Sequence, residues 1–249
     1  MLSGLALLLL LQPAQFAPGQ AEYDQAIQLL QEGKAPQALQ LLAQAVQSHP
    51  QTAALFRLQG VALAQTGDLL NAADSFQTAC RLNPNLPDAC YYLGRALFSL
   101  NRFTSAIEPL RKAIRVDGVK GRAETALAEA YEAMGQPKEA EQYFRWAIAR
   151  KDRAHERALL AYARFLVRDG RTEQSLEPIQ EALVTYSRSP EAHFQLARVL
   201  LQLDRLAEAV PPAEKSVALD PANPQFKLLL ARIYRRLGRD ADAANLERQ

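Results

Sequence analysis

Arginine is the residue type whose chemistry and spacing stand out in this 249-residue sequence. Arg164, Arg198 and Arg232 recur at intervals of 34 residues, with Arg157, Arg168, Arg235 and Arg236 around them. A guanidinium is planar, permanently charged and donates a fork of N–H bonds that matches a carboxylate or a phosphate. Arg95 and the aromatics Tyr91, Phe98 and Phe194 precede or interleave them, and arginine and tyrosine are residue types that dominate interface hot spots. The chemistry indicated is recognition of an anionic or mixed partner. Catalysis has no comparable support. His49 and His155 fall in links and His193 at a core-facing position, all far apart, and no HExxH, GxSxG or glycine-rich phosphate loop occurs. No metal site, cofactor or small-molecule substrate is expected. Cys80 and Cys90 are ten residues apart, which is not a zinc pattern, and they read as two buried small apolar residues. The net charge of +2 says nothing about partners by itself, so the placement of charge must carry the argument.

The elements that place these residues follow from self-comparison. The chain repeats every 34 residues, with starts at Gly19, Ala53, Pro87, Gly121, Glu156, Pro190 and Pro224 and one extra residue near Ala154–His155. The last unit is short. Position 8 is always small: Ala26, Gly60, Gly94, Ala128, Ala163, Ala197 and Ala231. Position 20 answers it with Ala38, Ala72, Ala106, Ala140, Ser175, Ala209 and Ala243, and position 27 is alanine or serine throughout. Larger apolar residues fill positions 11 and 24, as in Leu97 with Leu110. The apolar spacing of positions 4, 7, 8 and 11 predicts one buried helical stripe. Position 15 is Gly33, Gly67, Asn101, Gly135, Gly170, Asp204 and Gly238, the residue types that tolerate a left-handed helix end. Prolines at or just after position 32 end the second helix in several units. Pro109, Pro178 and Pro212 all fall at position 23, inside the second helix, and predict a bend or a late helix start.

This pattern resembles the tetratricopeptide repeat, whose signature is visible as Leu93-Gly94, Leu97, Ala106, Leu110 and Ala113 and again as Leu127, Tyr131, Gly135, Ala140, Phe144 and Ala147. The resemblance extends from Gly19 to the C-terminus. It implies an all-α fold, a right-handed α-α superhelical solenoid of helix–turn–helix units, with the first helices lining a concave groove. Positions 2, 5, 9, 12 and 13 then face the groove. Its first half is near neutral, and its second half carries the arginines against one acid, Glu191. The expected partner-binding residues are Tyr91, Arg95, Phe98, Arg164, Arg168, Phe194, Arg198, Arg232 and Arg235. The chaperone-binding clamp of the family needs asparagine at position 6, which here holds none.

Leu2–Leu11 is an uncharged apolar run too short to span a bilayer, which needs roughly 20 residues. It fits the apolar region of a secretory signal, with residues 1–18 as the signal and a small-x-small site at Ala17 and Gly19. Export to the periplasm or the extracellular space is expected; an apolar helix on the first repeat, in a cytoplasmic protein, is the alternative. Export would permit a disulfide between Cys80 and Cys90, which the repeat register puts on neighbouring helices. Polar residues at both ends, Glu22 and Gln25 in the first unit and Glu247, Arg248 and Gln249 in the last, read as caps of an array spanning 19–249. The functional expectation is a non-catalytic scaffold that holds a peptide or protein, acidic in character, in envelope or secretion assembly. Binding of nucleic acid or another polyanion by the arginine-rich half is the alternative, which near-neutral charge and export disfavour. Self-association is left open.

Overall fold

The computed structural model describes residues 18–86, 88–116 and 118–247. The run Leu2–Leu11 and Ala17 lie outside the described residues, as does the repeat start Pro87. The described residues form fourteen α-helices and no strand: α1 (Gln20–Gln31), α2 (Ala35–Ser48), α3 (Ala53–Gln65), α4 (Leu69–Leu82), α5 (Ala89–Ser99), α6 (Phe103–Ala113), α7 (Lys120–Ala133), α8 (Pro137–Ala149), α9 (His155–Arg168), α10 (Leu176–Thr185), α11 (Pro190–Gln202), α12 (Leu206–Leu219), α13 (Pro224–Arg236) and α14 (Asp240–Glu247). Consecutive helices pair as hairpins. No helix among the described residues is long and apolar enough to cross a membrane. The chain divides between Val119 and Lys120 into two compact units. The first carries α1–α6 and the second α7–α14. The division falls in one of the links that lack the terminal proline.

Each hairpin is closed by the same device. All seven position-15 residues are left-handed, with φ between 58° at Asn101 and 85° at Gly67. The amide of the following residue turns back to a carbonyl of the last helical turn, from Lys34 to Leu29, Asp68 to Leu63 and likewise through Arg239 to Tyr234, at 2.8–3.0 Å. This satisfies carbonyls that the helix end would otherwise leave unpaired. The small columns are the contact line between the two helices. Every alanine at positions 8, 20 and 27 is at most 2% exposed. Where position 8 is glycine, the neighbour fills the gap: a Cβ on Gly94 would lie 2.6 Å from Leu110 Cδ2.

The position-23 prolines behave in two ways. Pro178 follows a 3-10 turn, Glu173–Ser175, and lies near the start of a late-beginning α10, whereas Pro109 and Pro212 sit inside α6 and α12. In the first unit, Cys80 of α4 and Cys90 of α5 are joined by a disulfide, with Cα atoms 4.8 Å apart. The reading of two separate buried thiols is therefore replaced by a cross-link between adjacent hairpins. In the second unit Glu124, 2% exposed, accepts from both Nε and Nη2 of Arg150, the latter at 2.7 Å. Glu141 of α8 accepts from Arg171, Arg145 and Tyr162 together.

Candidate partner-binding face

In the second unit α11 packs against both α9 and α13, so the three first helices lie side by side. One stripe of each is buried: Leu159, Ala163 and Leu166 on α9, Ala192, Ala197 and Leu200 on α11, Leu230, Ala231 and Ile233 on α13. The position-9 arginines stand outside those stripes. Arg164 and Arg198 are half-buried and Arg232 is exposed.

Arg164 and Arg198 form no hydrogen bond or ion pair among the described residues. Burial pulls the Arg164 guanidinium below its ordinary value, Arg168 and Arg157 act in the same direction, and Glu129 and Glu191 oppose. Burial and then Arg164 itself pull Arg198 down as well. Both remain charged at neutral pH. Two partly dehydrated cations that repel one another gain from an anion placed between them. Glu191 accepts from Gln195 at 2.6 Å, which engages the nearby carboxylate. Arg198 lies 5.9 Å over the Phe194 ring, and Phe194 packs on Phe226 at 5.0 Å.

The other arginines divide differently from the sequence expectation of a face with a single acid. Arg168 is held in a two-point pair by Glu132, with one contact of 2.6 Å. Arg236 donates to Asp204 at 2.7 Å and to the Leu201 carbonyl at 3.4 Å. Arg157, Arg232 and Arg235 are exposed. Glu132 and Asp204 were thus missed as partners. In both pairs a position-13 arginine reaches back to positions 12–15 of the preceding unit, a relation that the repeat columns contain once that offset is known.

In the first unit Arg95 lies 5.4 Å over the Phe98 ring, and Phe98 packs on Phe103 at 5.1 Å. Tyr91, expected on the open face, is 5% exposed and sits against Tyr92. The reason is that position 5 lies at the seam between successive first helices. Arg57 donates to the Tyr23 hydroxyl one repeat earlier across such a seam, and Phe194 meets Phe226 across another. The histidines also differ from expectation. His155, read as a link residue, is buried in the first turn of α9 beside Tyr186 and Glu181. His193, read as core, is half-exposed and meets the Ser187 carbonyl at 3.1 Å.

Comparison with known proteins agrees with the fold. The family model described as the Cilia and flagella-associated protein 70 middle TPR-like domain matches residues 124–249, just over half of the chain. Two tetratricopeptide repeat models match residues 23–87 and 87–119. Small glutamine-rich tetratricopeptide repeat-containing protein 2 of Mycosarcoma maydis is 30% identical over 80 residues, which cover 32% of this chain and 23% of that protein. The match therefore spans less than a quarter of that relative. A tetratricopeptide repeat protein from Parabacteroides merdae superposes with a TM-score of 0.68 at 17% identity, covering 89% of this chain and 86% of that one. The APC/C hetero-tetramer Cut9-Hcn1 superposes with a TM-score of 0.66 at 17% identity, over 86% of this chain and 42% of that one. At such identities the structural likeness is one of fold.

Proposed function

The chain belongs to the tetratricopeptide-repeat family, and from that premise we propose that it is a non-catalytic scaffold whose second unit binds an acidic segment of a protein partner across α9, α11 and α13. Members of this family bind proteins, and the hetero-tetramer among its structural neighbours is a protein assembly. The single observation behind the acidic assignment is the pair Arg164 and Arg198, half-buried, repelling one another and engaged in no hydrogen bond or ion pair among the described residues. A partner carboxylate meets both guanidinium forks with little reorganisation. Arg232, exposed, extends the positive character outward, and Phe194 supplies an apolar floor beneath Arg198.

A fluorescein-labelled hexaglutamate peptide, read by anisotropy, tests this. Arg164→Glu and Arg198→Glu are expected to weaken binding at least about tenfold, or ~1.4 kcal/mol, while Arg157→Glu has a smaller effect. Equal binding by the wild type and both variants would sink the acidic assignment. An oligothymidylate that binds more tightly than the peptide, with a steep loss in salt, would replace it with the polyanion reading.

Export is part of the proposal. The apolar run Leu2–Leu11 supports it, as does the Cys80–Cys90 disulfide, since such bonds persist in oxidising compartments. The Pro18 carbonyl accepts from Thr52 Oγ1 at 3.3 Å, and a cut at the Ala17 and Gly19 site, which releases a chain starting at Gln20, gives up the contacts of Pro18 and Gly19 and leaves α1 whole. N-terminal sequencing of the chain from the envelope or medium reads the cut; an intact Met1 in the cytoplasmic fraction alone would refute export.

A further inference from the structure

The arginine pair has a carboxylate within its own field. Glu191 lies in the first turn of α11 and opposes the loss of charge at both Arg164 and Arg198. Glu191 and Arg198 are seven residues apart on α11, which puts them on one face of the helix, two turns from each other. Helical side chains lean toward the N-terminus of their helix. Arg198 does so: its guanidinium stands 5.9 Å over the ring of Phe194, one turn closer to Glu191. An internal ion pair is the expected outcome of such a layout, yet neither arginine makes one among the described residues.

Gln195 accounts for the difference. It follows Glu191 by one turn and precedes Arg198 by another, and its Nε2 donates to Glu191 Oε1 at 2.6 Å. Gln195 is 3% exposed. A buried amide without a partner is costly, and Glu191 is the hydrogen-bond partner of this side chain among the described residues. The burial that fixes the amide therefore fixes the carboxylate as well. Position 6 holds Asp24, Leu58, Tyr92, Ala126, Ala161 and Leu229 in the other units, so the packing of this position needs no amide, and the amide occurs in the unit that carries Arg198.

We propose that Gln195 is a positioning residue: it holds the Glu191 carboxylate away from Arg164 and Arg198 and so keeps both guanidinium groups open to the carboxylates of a partner. This deepens the acidic-segment reading above and rests on it. Without the amide, the Glu191 carboxylate is free to turn to the arginines, and a partner's anion must then displace an internal one.

The test is a double-mutant cycle on the full chain with the labelled hexaglutamate peptide, joined to a measurement that needs no peptide. Gln195→Met removes the donor at similar volume, and Glu191→Gln removes the competing charge. A partly exposed ion pair shifts an equilibrium by up to about fivefold, so Gln195→Met is expected to weaken peptide binding by about three- to fivefold. Glu191→Gln alone tightens binding by at most about twofold, because the carboxylate is already held off, and in the Gln195→Met background it recovers the loss. A loss that persists in the double variant marks a packing effect and overturns the proposal. So does a tightening of about fivefold by Glu191→Gln alone, since the carboxylate would then compete in the native chain. Proton exchange at the arginine Nε–H groups, followed by NMR of the unliganded chain, decides separately. Gln195→Met is expected to slow it at Arg164 or Arg198, and the double variant to remove that slowing; Glu191→Gln alone leaves it unchanged. Unslowed exchange in a folded Gln195→Met, or faster exchange in Glu191→Gln, overturns the positioning role. Exchange as expected in a chain that does not bind the peptide supports the positioning of Glu191 and overturns the acidic-segment reading alone. The comparisons of Glu191→Gln with wild type leave Gln195 intact and decide even where Gln195→Met does not fold.

Discussion

Gly94→Ala isolates the packing rule on which every hairpin depends. In an exposed helix this change stabilises by about 1 kcal/mol, because alanine loses less backbone freedom on folding. Here the new Cβ would overlap Leu110 Cγ and sit 2.6 Å from Cδ2 and 3.2 Å from Cδ1. The obstacle is the body of the side chain, and Leu110 is fully buried, so it has no open space into which to turn. Inserting a methyl group into such a core costs about 1–3 kcal/mol. The overpacking term, about 2 kcal/mol at mid-range, wins, and the net expectation is a loss of about 1 kcal/mol, a fall of about 0.5 M in urea midpoint. Urea unfolding followed by far-ultraviolet circular dichroism measures it. The double variant Gly94→Ala/Leu110→Ala supplies the mechanism. Leu110→Ala alone costs about 2–5 kcal/mol through its cavity, and the methyl group introduced at position 94 occupies part of that cavity. The double variant is therefore expected to lose about 1–2 kcal/mol less than the sum of the single losses. A Gly94→Ala midpoint at or above wild type, or strict additivity, refutes the reasoning.

Further predictions come from the charged groups and the cross-link. Arg171, with help from Arg145 and Tyr162, lowers the Glu141 carboxyl to about 2, and its side chain is 22% exposed. The lowered value means that its stabilisation is complete above about pH 4.5 and is lost as pH falls through about 2. Glu141→Gln should therefore cost on the order of 2 kcal/mol near neutrality, after allowance for water contact, and match wild type near pH 2; urea midpoints at three pH values check this, and a pH-independent difference would contradict it. Arg150→Ala strands the buried Glu124 carboxylate and is expected to cost about 3 kcal/mol, most of which the double variant with Glu124→Leu recovers; chemical denaturation of the three chains decides. Reduction of the Cys80–Cys90 bond, which spans ten residues, should lower stability by about 3 kcal/mol through the freed unfolded chain. Cys80→Ser should show the same loss and no further effect of reductant, and two titratable thiols in unreduced protein would rule the bond out.

The arginine face and the cavity beside Ala64 lie in different units. The position-9 pair offers two guanidinium groups, one of them over the Phe194 ring. The cavity, about 340 Å³ between α3, α4 and α5, offers apolar volume with a single charge in its lining. A small number of buried anchors carries most interface energy, so single variants of the arginine pair suffice to test that face. Neither depends on how the two units are arranged.

The hairpins are legible in the order of amino acids alone. Small residues at positions 8, 20 and 27 and Gly, Asn or Asp at position 15 specify helix contact and helix end locally, and the period of 34 makes each reading a repeated one. The same period puts Arg164 and Arg198 on equivalent positions of successive first helices. Which arginines keep a protein partner is a matter of tertiary packing, since Arg168 with Glu132 and Arg236 with Asp204 depend on how far one hairpin is offset from the next. That offset buried Tyr91 at a seam, where a single-helix stripe put it on the open face. It brought Cys80 and Cys90 to bonding distance, which a spacing of ten residues permits but does not require. It also opened the cavity beside Ala64, because an alanine in a column is a gap only when no neighbouring side chain moves in to fill it. Local patterns fix what each helix presents; the packing of one hairpin on the next fixes what remains for a partner.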